Sequence, residues 1–319
     1  MKKIIELILF ITLPVVALNA QQEEQFTQFT LNNYGLNPAV AGSSNGFTLL
    51  AGSRNQWRGF EGGPQTQFAN FTHAFGKKGY KHYWHGIGGY VQQDRFGVFT
   101  TKQAYLSYAI HLKVSSKFRL GFGVAAGVKS VAFSNIVFDL NDPVFAEGAR
   151  KVLVPDIIPG IYLYSKKFSF SVSMHNVYKN TLSFDNKILG SGTQLLPTAY
   201  ITLTRKIISG DYNFVSIPAI NLQSNFRGTI PSVNFNFITY YKKRVGVGVN
   251  YRMHDDVSGI IQVRVYKNVL IGFAYDLTIS NFRAGKANSD EIMVGISPLM
   301  STEDLEKQST HDCPKFEVF

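Results

Sequence analysis

Phe118-Arg119-Leu120-Gly121-Phe122-Gly123-Val124-Ala125-Ala126-Gly127-Val128-Lys129 alternates without a break. Phe118, Leu120, Phe122, Val124, Ala126 and Val128 fall on one side, and Arg119, Gly121, Gly123, Ala125, Gly127 and Lys129 on the other. A period of two puts successive side chains on opposite faces of a strand and does not match the 3.6-residue repeat of a helix. One face is therefore bulky and apolar, the other small or cationic. Phe168 to His175 repeats the pattern, with Phe168, Phe170, Val172 and Met174 opposed to Ser169, Ser171, Ser173 and His175. So does Val245 to Arg252, where valines and Tyr251 oppose Gly246, Gly248, Asn250 and Arg252.

Working outward, strand-like runs lie near 47–57, 65–75, 84–94, 100–113, 156–164, 197–207, 213–224, 231–241, 260–266, 269–275 and 291–300. With the three above they make about fourteen, an even number as single-chain bacterial barrels require. The connections 165–167, 242–244 and 267–268 are short and polar, as periplasmic turns are, whereas 134–155, 176–196 and 278–290 are long enough for external loops. A β-sandwich would also alternate, with its apolar face packed inward. Three features favour an all-β, transmembrane, antiparallel outer-membrane β-barrel: an export signal, Gly, Ser and Asn opposite the bulky residues, and aromatics near strand ends. Tyr80, Tyr83, Trp84, Tyr162, Tyr164, Tyr240, Tyr241, Tyr266 and Tyr275 are expected to form interfacial girdles.

Residues 1–20 read as a signal peptide, with Lys2 and Lys3 ahead of an apolar run and Ala20 before the cut. Residues 21–300 read as one barrel domain and 301–319 as an acidic tail. Cys313 is the single cysteine, which excludes an internal disulfide framework and a lipid-bearing cysteine after the signal. The whole chain carries +11; removing a leader of +1 and a tail of −3 leaves about +13 on residues 21–300. Such a surplus favours acidic partners or the head groups of outer-membrane lipids, and without a nucleic-acid-reading module nucleic acid is not expected. Hydrophobic content of 45% with mean hydropathy near zero suits a chain in which only alternate residues meet lipid.

Gly42-Ser43-Ser44-Asn45-Gly46 spells Gly-x-Ser-x-Gly, but it follows a turn and precedes a strand, not the strand-to-helix setting of a nucleophile elbow. His82-Tyr83-Trp84-His85 and His254-Asp255-Asp256 lack zinc-ligand spacing, and Asp139, Asn141 and Asp142 lack a complete calcium loop. No catalytic, metal or cofactor residues are assigned, and an enzyme is not expected. Arg119, Lys129, Arg252 and Arg264, with His111, share the small-residue face. They read as a basic lumen that selects anions or binds an acidic segment, or as ordinary barrel polarity. The acidic tail is the nearest such segment, either as a plug or as an arm into the periplasm.

Two clusters stand ahead of most strands, within residues 34–67. Tyr34-Gly35-Leu36-Asn37-Pro38-Ala39-Val40-Ala41-Gly42 reads as a turn, because proline fixes its own φ and pushes the preceding residue out of the helical region. Arg54-Asn55-Gln56-Trp57-Arg58-Gly59-Phe60 puts cations, amides and aromatics at a strand end. Together they resemble the PorP/SprF family, outer-membrane proteins of the Bacteroidota type IX secretion and gliding apparatus. The resemblance implies a non-catalytic component whose partners are the C-terminal domain of a secreted adhesin (SprF-like), or the periplasmic ring and peptidoglycan-binding lipoproteins (PorP-like). It points to Asn37, Pro38, Gly42, Arg54, Asn55, Gln56, Trp57, Gly59 and Phe60 as the partner-binding or family-motif residues. A turn and an aromatic belt use the same residue types, and a passive pore with a basic lumen is the alternative from another class.

Overall fold

A computed structural model describes residues 23–44, 46–76, 82–133, 150–184, 187–188, 194–210, 213–225, 231–266, 268–280 and 287–296. Fourteen long strands run β1 (Phe47–Arg58), β2 (Gln65–Phe75), β3 (Tyr83–Phe96), β4 (Phe99–Lys113), β5 (Arg119–Phe133), β6 (Arg150–Tyr164) and β7 (Phe168–His175). They continue as β8 (Thr198–Arg205), β9 (Phe214–Ser224), β10 (Ser232–Tyr241), β11 (Val245–Arg252), β12 (Asp256–Tyr266), β13 (Val269–Thr278) and β14 (Asn288–Ile296). Each pairs antiparallel with its neighbour in sequence. β1 closes on β14 from Leu49↔Ile296 to Asn55↔Asp290, so no edge is left open. The fold is a closed 14-strand antiparallel β-barrel, and every strand-like run in the sequence falls on one of its strands.

Which way the two faces point decides barrel against sandwich. Along β11, Val245, Val247, Val249 and Tyr251 are exposed while Gly246, Gly248, Asn250 and Arg252 are buried. Leu106 is 71% exposed and Val247 59%, whereas Asn250 and Gln262 are wholly buried. This inversion would be costly in water. It is the arrangement required of a barrel whose outer face meets hydrocarbon and whose polar groups turn inward.

The connections sort into two ends. Residues 165–167, 242–244 and 267–268 share one end with 114–118 and 206–213, and the longer 134–149, 176–197 and 279–287 share the other. Short turns are periplasmic in bacterial barrels, which orients the chain. The aromatic girdle needs correction. Tyr83, Tyr241, Tyr266 and Tyr275 are exposed as expected, but Trp84 and Tyr240 are buried in the interior, and Tyr162 and Tyr164 lie on the same inward face. Strand parity separates them, since Tyr240 and Tyr241 must point to opposite sides. Tyr80, the leader 1–20 and the tail 301–319 with Cys313 lie outside the described residues.

Candidate functional site

The interior is filled by the chain's own N-terminal segment. Residues 23–44 enter beside the long-loop end and descend to the short-turn end through a turn at Thr27–Leu31, a single helical turn α1 (Asn33–Leu36) and a 3-10 turn at Pro38–Val40. Phe26, Phe29, Leu31, Tyr34, Leu36 and Ala39 of this segment are all buried. A chain crossing a polar lumen must satisfy its peptide and side-chain polar groups, and here the wall does so from one end to the other.

At the top, Lys129 Nζ donates to Glu23 Oε1 at 2.9 Å and to Asn176 Oδ1 at 2.8 Å. Asn176 also donates to Glu23, so the carboxylate is matched by both side chains. One level below, Arg54 reaches Asp276 at 2.6 Å and Glu291 at 3.1 Å, all three side chains buried. Glu291 accepts the backbone N–H groups of Thr27 and Gln28, each at 2.9 Å, and the Thr27 hydroxyl bonds Asp276 at 2.9 Å. The carboxylates thus face a guanidinium on one side and the segment's peptide donors on the other.

Midway, Asn32 Oδ1 accepts from Asn70 at 3.0 Å, and the Tyr34 hydroxyl meets Ser107 at 2.8 Å. The Asn-Pro turn follows. Asn37, kept extended by the proline after it (φ −144°, ψ 116°), accepts from Ala39 N–H at 2.8 Å and caps the 3-10 turn. The two hydrogens of its amide nitrogen are shared among Ile161 O at 2.9 Å, Ser171 Oγ at 2.8 Å and Val172 O at 3.0 Å, pinning the turn to β6 and β7. At the bottom, His111 donates to Ala41 O at 2.7 Å and Trp84 to Gly42 O at 2.9 Å. Gly42 has φ +76°, which favours glycine.

Small residues on the wall make this approach possible. A Cβ on Gly123 would overlap the Ala39 backbone, one on Gly86 the Ala41 carbonyl, and one on Gly160 the Asn37 amide. The inward glycines that give the strands their alternation are the floor of a groove for residues 37–42. Beside Tyr34, Tyr90, Tyr105, His175 and Tyr200 a cavity of about 30 Å³ remains, room for a water or two.

The motif residues therefore divide. Asn37, Pro38 and Gly42 belong to the seated segment, and Arg54 to the buried cluster that holds it. The rest of the second motif lies at the long-loop rim. Asn55 donates to Asp290 at 3.2 Å, Gln56 N–H to Pro64 O at 2.8 Å and Trp57 N–H to Ser289 Oγ at 3.2 Å. Arg58 pairs with Asp290, and Trp57 (φ +53°) packs edge-on to Phe96 with ring centroids 6.0 Å apart. Gly59 (φ +99°) turns the chain so that Phe60 stands exposed.

The four basic residues of the inward face divide as well. Lys129 is matched by Glu23, and Arg252 by Asp256 at 2.6 Å and Asp255 at 3.4 Å. Arg119 and Arg264 are half-buried at the short-turn end, where Arg264 Nε donates to Lys243 O at 3.2 Å. The lumen is a charge-matched seat, not a cationic channel. Thr27, Gln28, Asp276 and Glu291 were not singled out in the sequence; their signal is an amide-rich stretch ahead of the Asn-Pro turn and two acids on inward strand positions. No cluster of acidic, histidine or cysteine side chains able to hold a metal occurs among the described residues.

A family model described as type IX secretion system membrane protein PorP/SprF matches residues 18–296, which includes the seated segment and all fourteen strands. The chain belongs to the PorP/SprF family. No individual curated protein matches significantly. Similar solved structures include the toluene transporter TbuX of Ralstonia pickettii, at 10% identity and TM-score 0.49 over 83% of this chain and 92% of that one. Omp33 of Acinetobacter baumannii matches at 10% identity and TM-score 0.44, over 80% of this chain and 99% of that one. A Pseudomonas aeruginosa FadL homologue matches at 10% identity and TM-score 0.44, over 87% and 94%. Family and inverted burial together place this PorP/SprF protein in the outer membrane.

Asn37 carries a prediction of its own. Asn37→Ala removes the amide whose two hydrogens serve three wall acceptors, and the cap on Ala39, and is expected to lower stability by about 2–4 kcal/mol. Urea unfolding of the purified barrel, followed by the electrophoretic shift between folded and unfolded forms, measures it. A change below about 0.5 kcal/mol, the range of ordinary surface substitutions, would show that the turn is not held by its amide.

Proposed function

We propose that this PorP/SprF protein is a non-catalytic adaptor of the type IX secretion or gliding apparatus, which holds the C-terminal domain of a secreted surface adhesin at the cell surface. The observation that carries this reading is the seated N-terminal segment. A lumen occupied from mouth to base by a hydrogen-bonded segment suits a scaffold better than a passive pore, and leaves binding to the rims. The long-loop rim offers exposed Phe60 beside the Arg58–Asp290 pair on the folded turn of the second motif. An exposed aromatic next to charged groups is the composition of a protein-binding patch.

A second reading, anchoring of the periplasmic ring or its peptidoglycan-binding lipoproteins, draws support from the surplus charge of the short-turn end. Affinity purification of the tagged protein from its native outer membrane in mild detergent, followed by mass spectrometry, tests both. The expected result is a large secreted adhesin as the main partner, lost when Phe60 is replaced by Ser. Recovery of periplasmic ring proteins without adhesin would favour anchoring, and a barrel recovered alone would count against both.

A further inference from the structure

The short-turn rim is cationic without interruption. Its connections present Lys117, Lys166, Lys167, Lys242, Lys243 and Arg244, and no acidic residue stands at that end among the described residues. Asp211, outside the described residues, is the single acid the sequence places in those connections. By contrast, every carboxylate of the described barrel and its lumen segment lies toward the long-loop end, most of them matched by Lys129, Arg54, Arg58 or Arg252. The positive surplus of the barrel is thus concentrated on one rim.

The 242–244 turn shows that this charge is kept at some conformational expense. Lys242 and Lys243 both adopt left-handed backbone (φ +46° and +56°), where a tight hairpin ordinarily takes Asn or Gly. Lys242 N–H is tied to Asn213 O at 2.7 Å and its ammonium lies 5.3 Å from the Tyr241 ring centroid. Two lysines in the positions of an Asn-Gly pair point to a use for their side chains.

The cations also have a spacing. Lys117, Lys166 and Lys167, Lys206 and then 242–244 lie on four successive connections of the ring, β4–β5, β6–β7, β8–β9 and β10–β11. Successive turns at one end of a barrel are two strands apart, roughly 10 Å. An extended peptide in the polyproline II form advances about 9 Å in three residues and returns every third side chain to the same side. These cations sit on turn tips, beyond the paired positions of the strands and within reach of the aqueous periplasm. We propose that this arc binds an acidic polypeptide in extended form, with a carboxylate at about every third residue. The inference stands on the outer-membrane placement alone, so it succeeds or fails independently of the adhesin reading.

The test uses the full-length barrel in detergent and two synthetic peptides of equal composition. One is Glu-Gly-Gly repeated three times with a final Glu; the other has its four glutamates consecutive. The expected result is tighter binding of the spaced peptide, weakening with added salt as exposed charge pairs do. Binding should fall more than tenfold in a Lys166→Gln, Lys167→Gln, Lys242→Gln, Lys243→Gln variant, and be unchanged by Gln at Lys151 and Lys179. Equal binding of the two peptides, or indifference to the four substitutions, would overturn the proposal. In cells, a photo-crosslinking residue at position 167 should capture a polypeptide through an acidic stretch. Capture of lipid alone, or of this chain's own residues 301–319, would overturn it as well.

Discussion

Replacing Gly123 by leucine is expected to turn a closed barrel into a conducting one. Gly123 faces the lumen on β5, and even a Cβ there would overlap the backbone of Ala39. The obstacle is main chain held in a capped 3-10 turn, so no rotamer change relieves it. β5 cannot retreat either, because fifteen paired positions tie it to β4 on one side and fifteen to β6 on the other. The weaker partner is the segment, whose attachment at this level is Asn37 and the carbonyls of Leu36, Ala41 and Gly42. Leucine should therefore displace residues 37–42 and leave the strands paired. Planar-bilayer recording would show discrete openings where the parent shows none, and a cysteine at Thr30, buried in the parent, would become reactive to a water-soluble maleimide. Gly259→Leu is the control: nothing lies within 4 Å of its Cβ position, so that barrel should stay closed. A Gly123→Leu barrel that inserts, remains silent and protects Thr30→Cys would show that the segment does not close the lumen.

Gly123 also shows how much of this molecule was legible in its sequence. The strands were, because a two-residue period survives one-letter reading and because Val and Phe opposite Gly and Ser leave no helical alternative. The sense of the faces was legible too, from a leader that reads as an export signal and from small polar residues opposite the bulky ones. The reason for the glycines was not. Gly86, Gly123 and Gly160 are small because a segment from the other end of the chain lies against them, and no local pattern announces a contact between residue 39 and residue 123. The partner of Lys129 was hidden for the same reason, since Glu23 reaches it only when the barrel closes around the segment, whereas Arg252 finds Asp255 and Asp256 within its own hairpin. Arg54 was placed correctly in a motif and given the wrong surroundings: its neighbours in sequence, Asn55 to Phe60, serve the rim, while strand parity turns Arg54 itself inward. A motif that straddles both faces of a strand is two sites in space.

Arg54 then supplies the largest expected loss of stability. Arg54→Met leaves Asp276 and Glu291 buried without their guanidinium, and breaking such a pair costs about 3–5 kcal/mol. Adding Asp276→Asn removes one of the two stranded charges, and the Thr27 hydroxyl still has an oxygen to bond; part of the loss should return. Adding Glu291→Gln to that pair should not help. Glu291 accepts two backbone N–H groups on two oxygens, and an amide offers one acceptor while turning an NH₂ toward the other donor. Ranking the three variants by urea midpoint thus separates charge matching from segment holding, since additive behaviour is not expected among side chains in one network. The same variants decide what the motif arginine is for. If Arg54 serves only the seat, any variant that still assembles with Thr30→Cys protected should retain its co-purifying partner in full. A partner lost while the segment stays seated would mean that Arg54 acts through the rim it adjoins, and that the seat is the lesser of its roles.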